Sequence, residues 1–276
     1  MDLATILGLV ISLVTIMVVM ILDGGSPAEL FSVPQAILLI VAGSLSASVT
    51  TVPLSVVVNL PKYILKAVKG DHFDFEGSIE ILAKMADKAR REGLLALEEE
   101  SKKISDPFLQ KGVMLVVDGT DPEQVEAILY NNIEHMRERH KQGYGFFAAA
   151  GAFAPTFGII GTVMGLINVL KELDNAAKLA SSIAAAFLAT LWGLLMANVF
   201  YLPLSGKLKS NDEEETAYRT MLMEGILGIQ AGENPRLLKD KLMTYLPPKL
   251  VAKLSEDGEP AGKKTGKVKS KAEAEA

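Results

Sequence analysis

FFAAAGAFAPTFGIIGTVMGLINVL, residues 146–170, carries no charged side chain. About 20 apolar residues cross a bilayer core as a helix, and a helix satisfies its own backbone polar groups, which lipid cannot do. Working outward, the same signal recurs at 179–204, and twice earlier, at 3–22 and 33–54. Soluble core helices are rarely this long or this free of charge. The pattern predicts an all-α integral membrane protein with four transmembrane helices. A helical cytoplasmic domain lies between the second and third, and a helical cytoplasmic tail follows the fourth.

The formal charge of -5 comes from 28 basic and 33 acidic residues, concentrated between the second and third runs and after the fourth. With no cysteine there is no disulfide framework, thiol nucleophile or Cys-based metal site. His72, His135 and His140 are scattered, so no metal site is expected. The acidic balance argues against nucleic acid. No nucleophile–base set appears, and Gly158-Ile159-Ile160-Gly161 sits in an apolar helix without the lysine of a phosphate loop. The expectation is no catalytic site, no cofactor and no enzyme. No basic residue precedes the first run, and Ile21-Leu22-Asp23 is no cleavage site, so this run reads as a retained helix.

Basic residues near helix ends set topology. Residues 23–32 have no Lys or Arg, whereas Lys62, Lys66 and Lys69 follow the second run, Arg137, Arg139 and Lys141 precede the third, and Lys207 and Lys209 follow the fourth. The loop between the third and fourth runs is short and mixed, with Glu172, Asp174 and Lys178. Both termini are therefore inside and both short loops outside. The segments are 1–54 (two membrane helices), 55–145 (cytoplasmic helical domain), 146–204 (two membrane helices), 205–250 (helical tail) and 251–276 (disordered tail).

Within the middle segment, Ile79, Leu82, Ala83, Ala86 and Ala89 keep a helical period over 75–92, and 94–104 continues it. Asp106-Pro107 and Asp121-Pro122 each open a further helix, the latter leading into 125–141. Gly232-Glu233-Asn234-Pro235 ends a tail helix over 205–231 and starts another over 236–246. Residues 55–70, with Lys62, Lys66 and Lys69 among apolar neighbours, fit an interfacial helix on anionic lipid or an extension of the second helix.

The last two membrane helices differ from the bulky first two. Ser181, Ala185, Ala189, Gly193 and Ala197 recur every four residues, with Ser182, Ala186 and Thr190 beside them. Ala150, Ala154, Gly158 and Thr162 form a similar row, with Gly161 and Gly165 alongside. Small residues at this spacing let helix backbones approach closely. Thr162 and Thr190 lie near mid-helix, where a hydroxyl bonds its own helix or faces a pore wall. Two on adjacent small-residue faces fit the wall better. Pro155 removes a backbone donor and frees a carbonyl; Pro203 stands at the inner end of its helix and ends it. No Asp, Glu, Lys, Arg or His lies at the centre of any run. Ion carriers need an ionisable group at depth, so ion transport would require a partner's carboxylate, surrounded by many copies of this chain.

APTFGIIGTVMGLI (154–167) and AAFLATLWG (185–193) resemble the third and fourth membrane helices of the flagellar stator MotA family, including its sodium-type relative PomA, in the MotA/TolQ/ExbB superfamily. RREGLLALE (90–98) resembles its cytoplasmic motif and EGILGIQAGENPR (224–236) its tail, so the likeness covers about residues 1–250. The resemblance implies a pentameric homo-oligomeric ring in the bacterial inner membrane. It surrounds a MotB-like single-span protein whose membrane aspartate carries the ion, and it drives the rotor protein FliG. It implies ion-path positions at Thr162 and Thr190, coupling prolines at Pro155 and Pro203, and rotor-facing charges at Arg90 and Glu98. Arg91 and Glu99 keep the same spacing. On one helix, eight residues turn Arg90 and Glu98 about 80° apart, onto one broad face. H+ is the family default; Thr162 leans toward Na+. A TolQ- or ExbB-like energiser typically has three membrane helices, against four runs here. A solute transporter would need a substrate site at depth, which these helices lack.

Overall fold

The computed structural model describes residues 3–70, 72–171, 176–248 and 250–251; every regular element among them is helical. Of the expectations above, Glu172 and Asp174 and the disordered tail from 252 lie outside the described residues.

The chain forms two compact units, 1–74 with 123–220, and 75–122 with 221–276. In the first, helix α1 (Leu3–Leu22) ends at Leu22, where the sequence reading ends it. Leu7, Val10, Ile11, Val14, Val18 and Ile21 stay exposed, an apolar face suited to lipid. Leu9, Leu13, Ile16 and Met20, at helical spacing, pack instead around Leu195 and Val199. Gly24 turns the chain at φ 82°, and a 3-10 segment, Pro27–Ser32, brings buried Leu30 into that cluster. There the Leu30 carbonyl accepts from Trp192 Nε1–H at 2.7 Å.

Helix α2 (Pro34–Val49) corrects the reading of 33–54 as one span, since it holds 16 residues. At 1.5 Å per residue it reaches about 24 Å, short of a core of about 30 Å. Thr50 and Thr51 turn their hydroxyls onto the Ala47 and Ser48 carbonyls, and Pro53 offers no N–H with which to continue. A short α3 (Leu54–Val58) and then α4 (Leu60–Lys69) follow, so α4 is a separate helix and not an extension of α2. Among the described residues three helices are long and apolar enough to cross a membrane, and α2 is shorter than these.

In the second unit, α5 (Phe75–Glu92) ends at Gly93, whose φ of 86° is left-handed and glycine-favouring. A 3-10 turn, Leu94–Leu97, leads to the short α6 (Glu98–Ser101), so 94–104 does not continue the preceding helix. Asp106 caps α7 (Pro107–Val117) by accepting from the Phe108 and Leu109 N–H groups.

Helix α8 (Pro122–Lys171) is one continuous 50-residue helix, where the sequence reads two, over 125–141 and 146–170. After α9 (Ala176–Leu195) comes a π-helical segment, Met196–Tyr201, and then α10 (Leu202–Gln230). Pro203 therefore does not end the helix. The wider winding just before it accommodates a residue without an N–H. Gly232 at φ 67° closes α10, and Asn234 caps α11 (Pro235–Met243) through Arg236 N–H.

Candidate functional site

The small-residue rows meet. A Cβ placed on Gly193 would lie 2.8 Å from the Ala154 carbonyl oxygen, 3.1 Å from Gly158 Cα and 3.3 Å from Pro155 Cα. One on Gly158 would lie 3.2 Å from the Ala189 carbonyl oxygen. Gly161 and Gly165 face the Ala189 and Ala186 methyls at 2.9 and 2.8 Å by the same measure. Helices α8 and α9 thus touch backbone to backbone, which only small residues permit. Ala154 and Ala189 are fully buried there; Ala185 is half-buried.

In this seam Thr162 and Thr190 share a hydroxyl–hydroxyl hydrogen bond. Thr162 Oγ1 also lies 3.0 Å from the Gly158 carbonyl oxygen and 3.1 Å from that of Ala186, across the seam. Each hydroxyl owns one proton and two lone pairs. If Thr162 donates to these carbonyls, Thr190 must donate to Thr162. The lone pairs of Thr190 are then uncommitted, available to a cation or to a water. Both side chains are half-buried. Pro155 sits in α8 one residue from Ala154, half-buried; Pro203 is exposed on α10.

Tyr201 OH accepts at 3.5 Å from Ser44 on α2, and Ser48 Oγ–H donates to the Ser44 carbonyl at 2.7 Å. Further along α10, Asp212 and Glu215 are buried. Asp212 meets His140 Nδ1 at 2.8 Å; Glu215 accepts from Arg219 at 2.8 Å and from Lys66 at 3.4 Å. Sequence reading missed this clasp. Its signal was present in the acidic run 212–215, where Asp212 and Glu215, three apart, share a helix face while Glu213 and Glu214 are exposed.

In the second unit Arg90, Arg91, Glu98 and Glu99 are all exposed. Arg90 and Glu98 flank the Gly93 break, so they occupy separate helices, not one face of a single helix. Arg91 pairs with Asp87 at 2.7 Å and Glu98 with Lys102 at 3.0 Å, each i,i+4. Arg90 and Glu99 make no ion pair among the described residues. Glu100 fixes the turn: hydrogen bonds from Lys88 and Lys103 hold its carboxyl below the ordinary value.

The profile of the MotA/TolQ/ExbB proton channel family matches residues 100–221, and that of the motility protein A N-terminal region matches 6–93. Motility protein A of Borreliella burgdorferi is 41% identical over 215 residues, covering 78% of this chain and 83% of that one. The structure of C. jejuni MotAB superposes with a TM-score of 0.85 at 34% identity, over 90% of this chain and 97% of that one. The flagellar MotAB stator complex of Bacillus subtilis gives 0.84 at 35%, over 91% and 98%. With both profiles matched in order and the likeness running nearly end to end, the chain belongs to the MotA/TolQ/ExbB proton channel family, in its motility protein A branch.

Proposed function

We propose that this membrane protein is a flagellar stator subunit that works with a MotB partner, is not an enzyme, and couples ion flow to rotation. The observation that carries the reading is the Thr162–Thr190 pair. Two hydroxyls sit in a seam of glycine and alanine, on helices that contribute no ionisable side chain at their centres. Such a wall can hold an ion or water by oxygen but cannot carry a proton alone. The partner's membrane aspartate fills that need.

In this reading the chain makes four passes of the bacterial inner membrane with both termini inside, α2 crossing as the shortest. A pentameric ring encloses the partner. Residues 146–204 form the ion-path wall, with Pro155 and Pro203 transmitting changes in the partner's carboxylate to the ring. Residues 55–145 present Arg90 and Glu98, or Glu99 beside it, to FliG. Arg90 and Glu99 suit a contact repeatedly made and broken, because no intramolecular pair must first be given up. The ion is H+, with Na+ the alternative.

The test is swimming speed of cells carrying this chain with its partner. Speed that follows external pH and ignores sodium supports H+; dependence on sodium at fixed pH assigns Na+. Full motility without any aspartate-bearing partner contradicts the reading.

A further inference from the structure

Helix α4 separates two cavities of the first unit. On one flank Leu60, Ile64 and Val68, spaced four apart, line an apolar cavity of about 660 Å³, which Gly8 and Leu9 of α1 also line. On the other flank, Lys62 and Lys66 of α4, Arg139 and His140 of α8, and Asn211 and Asp212 of α10 line a second cavity of about 310 Å³, whose wall is otherwise largely apolar, with Tyr63, Tyr144 and Leu208. Lys66 and His140 are engaged with Glu215 and Asp212. Lys62 and Arg139 are exposed and have no ion pair among the described residues. Asn211 is 5% exposed, and its Nδ2 has no hydrogen-bond partner. A buried amide donor without an acceptor costs free energy. In this wall it stands with an ammonium and a guanidinium, an arrangement for an anion with several oxygens. Guanidinium groups match phosphate in particular.

We propose that the charged groups of this second cavity bind a phosphate group, supplied by an anionic phospholipid. The lipid source follows from placement. The same short helix lends Lys62 and Lys66 to the second cavity and Leu60, Ile64 and Val68 to the first, which is also lined by α1 with its exposed apolar face. A helix with basic and apolar faces of this kind lies at a headgroup boundary. The phosphate completes the Asn211 amide and takes the charge of Lys62 and Arg139. The inference does not depend on the stator role, and its readout is binding, so the two can fail separately.

The experiment uses the full chain, delipidated in detergent, with phosphatidylglycerol or phosphatidylcholine added and bound lipid followed by native mass spectrometry. Phosphatidylglycerol is expected to bind at least about ten-fold more tightly than phosphatidylcholine. The double substitution Lys62→Gln, Arg139→Gln, at exposed positions that leave the fold intact, should remove most of that preference. Asn211→Leu should weaken binding about three-fold, with an unchanged melting profile confirming the fold. Equal retention of both lipids, or phosphatidylglycerol binding unaffected by the double substitution, overturns the proposal. A separate arm adds inorganic phosphate alone. Thermal protection by phosphate that is lost in the double variant, with no lipid preference, overturns the lipid source and leaves a soluble phosphate as ligand.

Discussion

The α8–α9 seam and the charged turn around Gly93 are both built on glycine, for opposite purposes. In the seam, glycine removes side chains so that two backbones touch: Gly193 leaves 2.8 Å between a would-be Cβ and a carbonyl oxygen. At Gly93 nothing lies within 4 Å, and glycine is there for its φ of 86°. One region spends glycine on contact, the other on direction. The seam should tolerate almost nothing, and the turn should tolerate any change that keeps its backbone and leaves its exposed charges free.

The sharpest break of this contrast is Gly193→Val. Its side chain meets backbone that cannot yield, so about 3 kcal/mol or more should be lost. Gly206→Ala on α10, with nothing within 4 Å, should cost nothing measurable. Thermal melts of the purified chain compare the two directly. Equal melting temperatures would refute the close approach.

Next in size, Gly93→Ala places a Cβ at left-handed φ and should cost about 1 kcal/mol from strain alone, despite open space. Within the seam, Thr162→Val and Thr190→Val should each cost about 0.6–1.7 kcal/mol, and the double variant less than their sum. Additivity in a double-mutant cycle would mean the hydroxyls do not bond.

A pH titration sharpens the comparison from the second unit. Burial first, then the Glu224 carboxylate that accepts its hydrogen bond at 2.7 Å, pushes the Tyr245 hydroxyl up to about 12. The folded value is raised above the unfolded one of about 10. This contribution is therefore complete below pH 10 and is lost as pH rises toward 12. Ultraviolet titration should show a tyrosine ionising near pH 12, and Tyr245→Phe should remove that component.

The smallest effects belong to the exposed charges. Arg91→Ala should cost about 0.3–0.5 kcal/mol by losing Asp87, and Arg90→Ala should leave stability unchanged. If Arg90 meets the rotor, its loss should instead appear in motility. Charge reversal at Arg90 and Glu98 should impair wild-type cells and recover against a charge-reversed rotor.

Much of this was legible because it depends on local chemistry. The end of the first helix at Leu22 could be read closely, since Asp23 and Gly24 close a largely apolar run. The Asp106-Pro107 and Asn234-Pro235 caps could be read for the same reason. Hydropathy overran α2 because Thr50 to Leu54 are compatible with lipid by composition, while two hydroxyls and a proline end the helix by geometry. Pro203 misled in the other direction, because a π-helical segment carries the chain past it. The small-residue rows announced a close contact. Which threonine faced which, and which partners hold Asp212 and Glu215, depended on register between helices, which no single helix encodes.

The most direct test of the central claim is ion flux through the assembled stator carrying Thr162→Val and Thr190→Val together. Valine keeps the shape of threonine and removes the oxygen. The double variant should assemble with its partner as the wild type does, while ion flux and motility fall by about ten-fold or more, the loss of roughly 1.4 kcal/mol of stabilisation on the ion path. Normal assembly with unchanged flux would contradict a hydroxyl-lined wall.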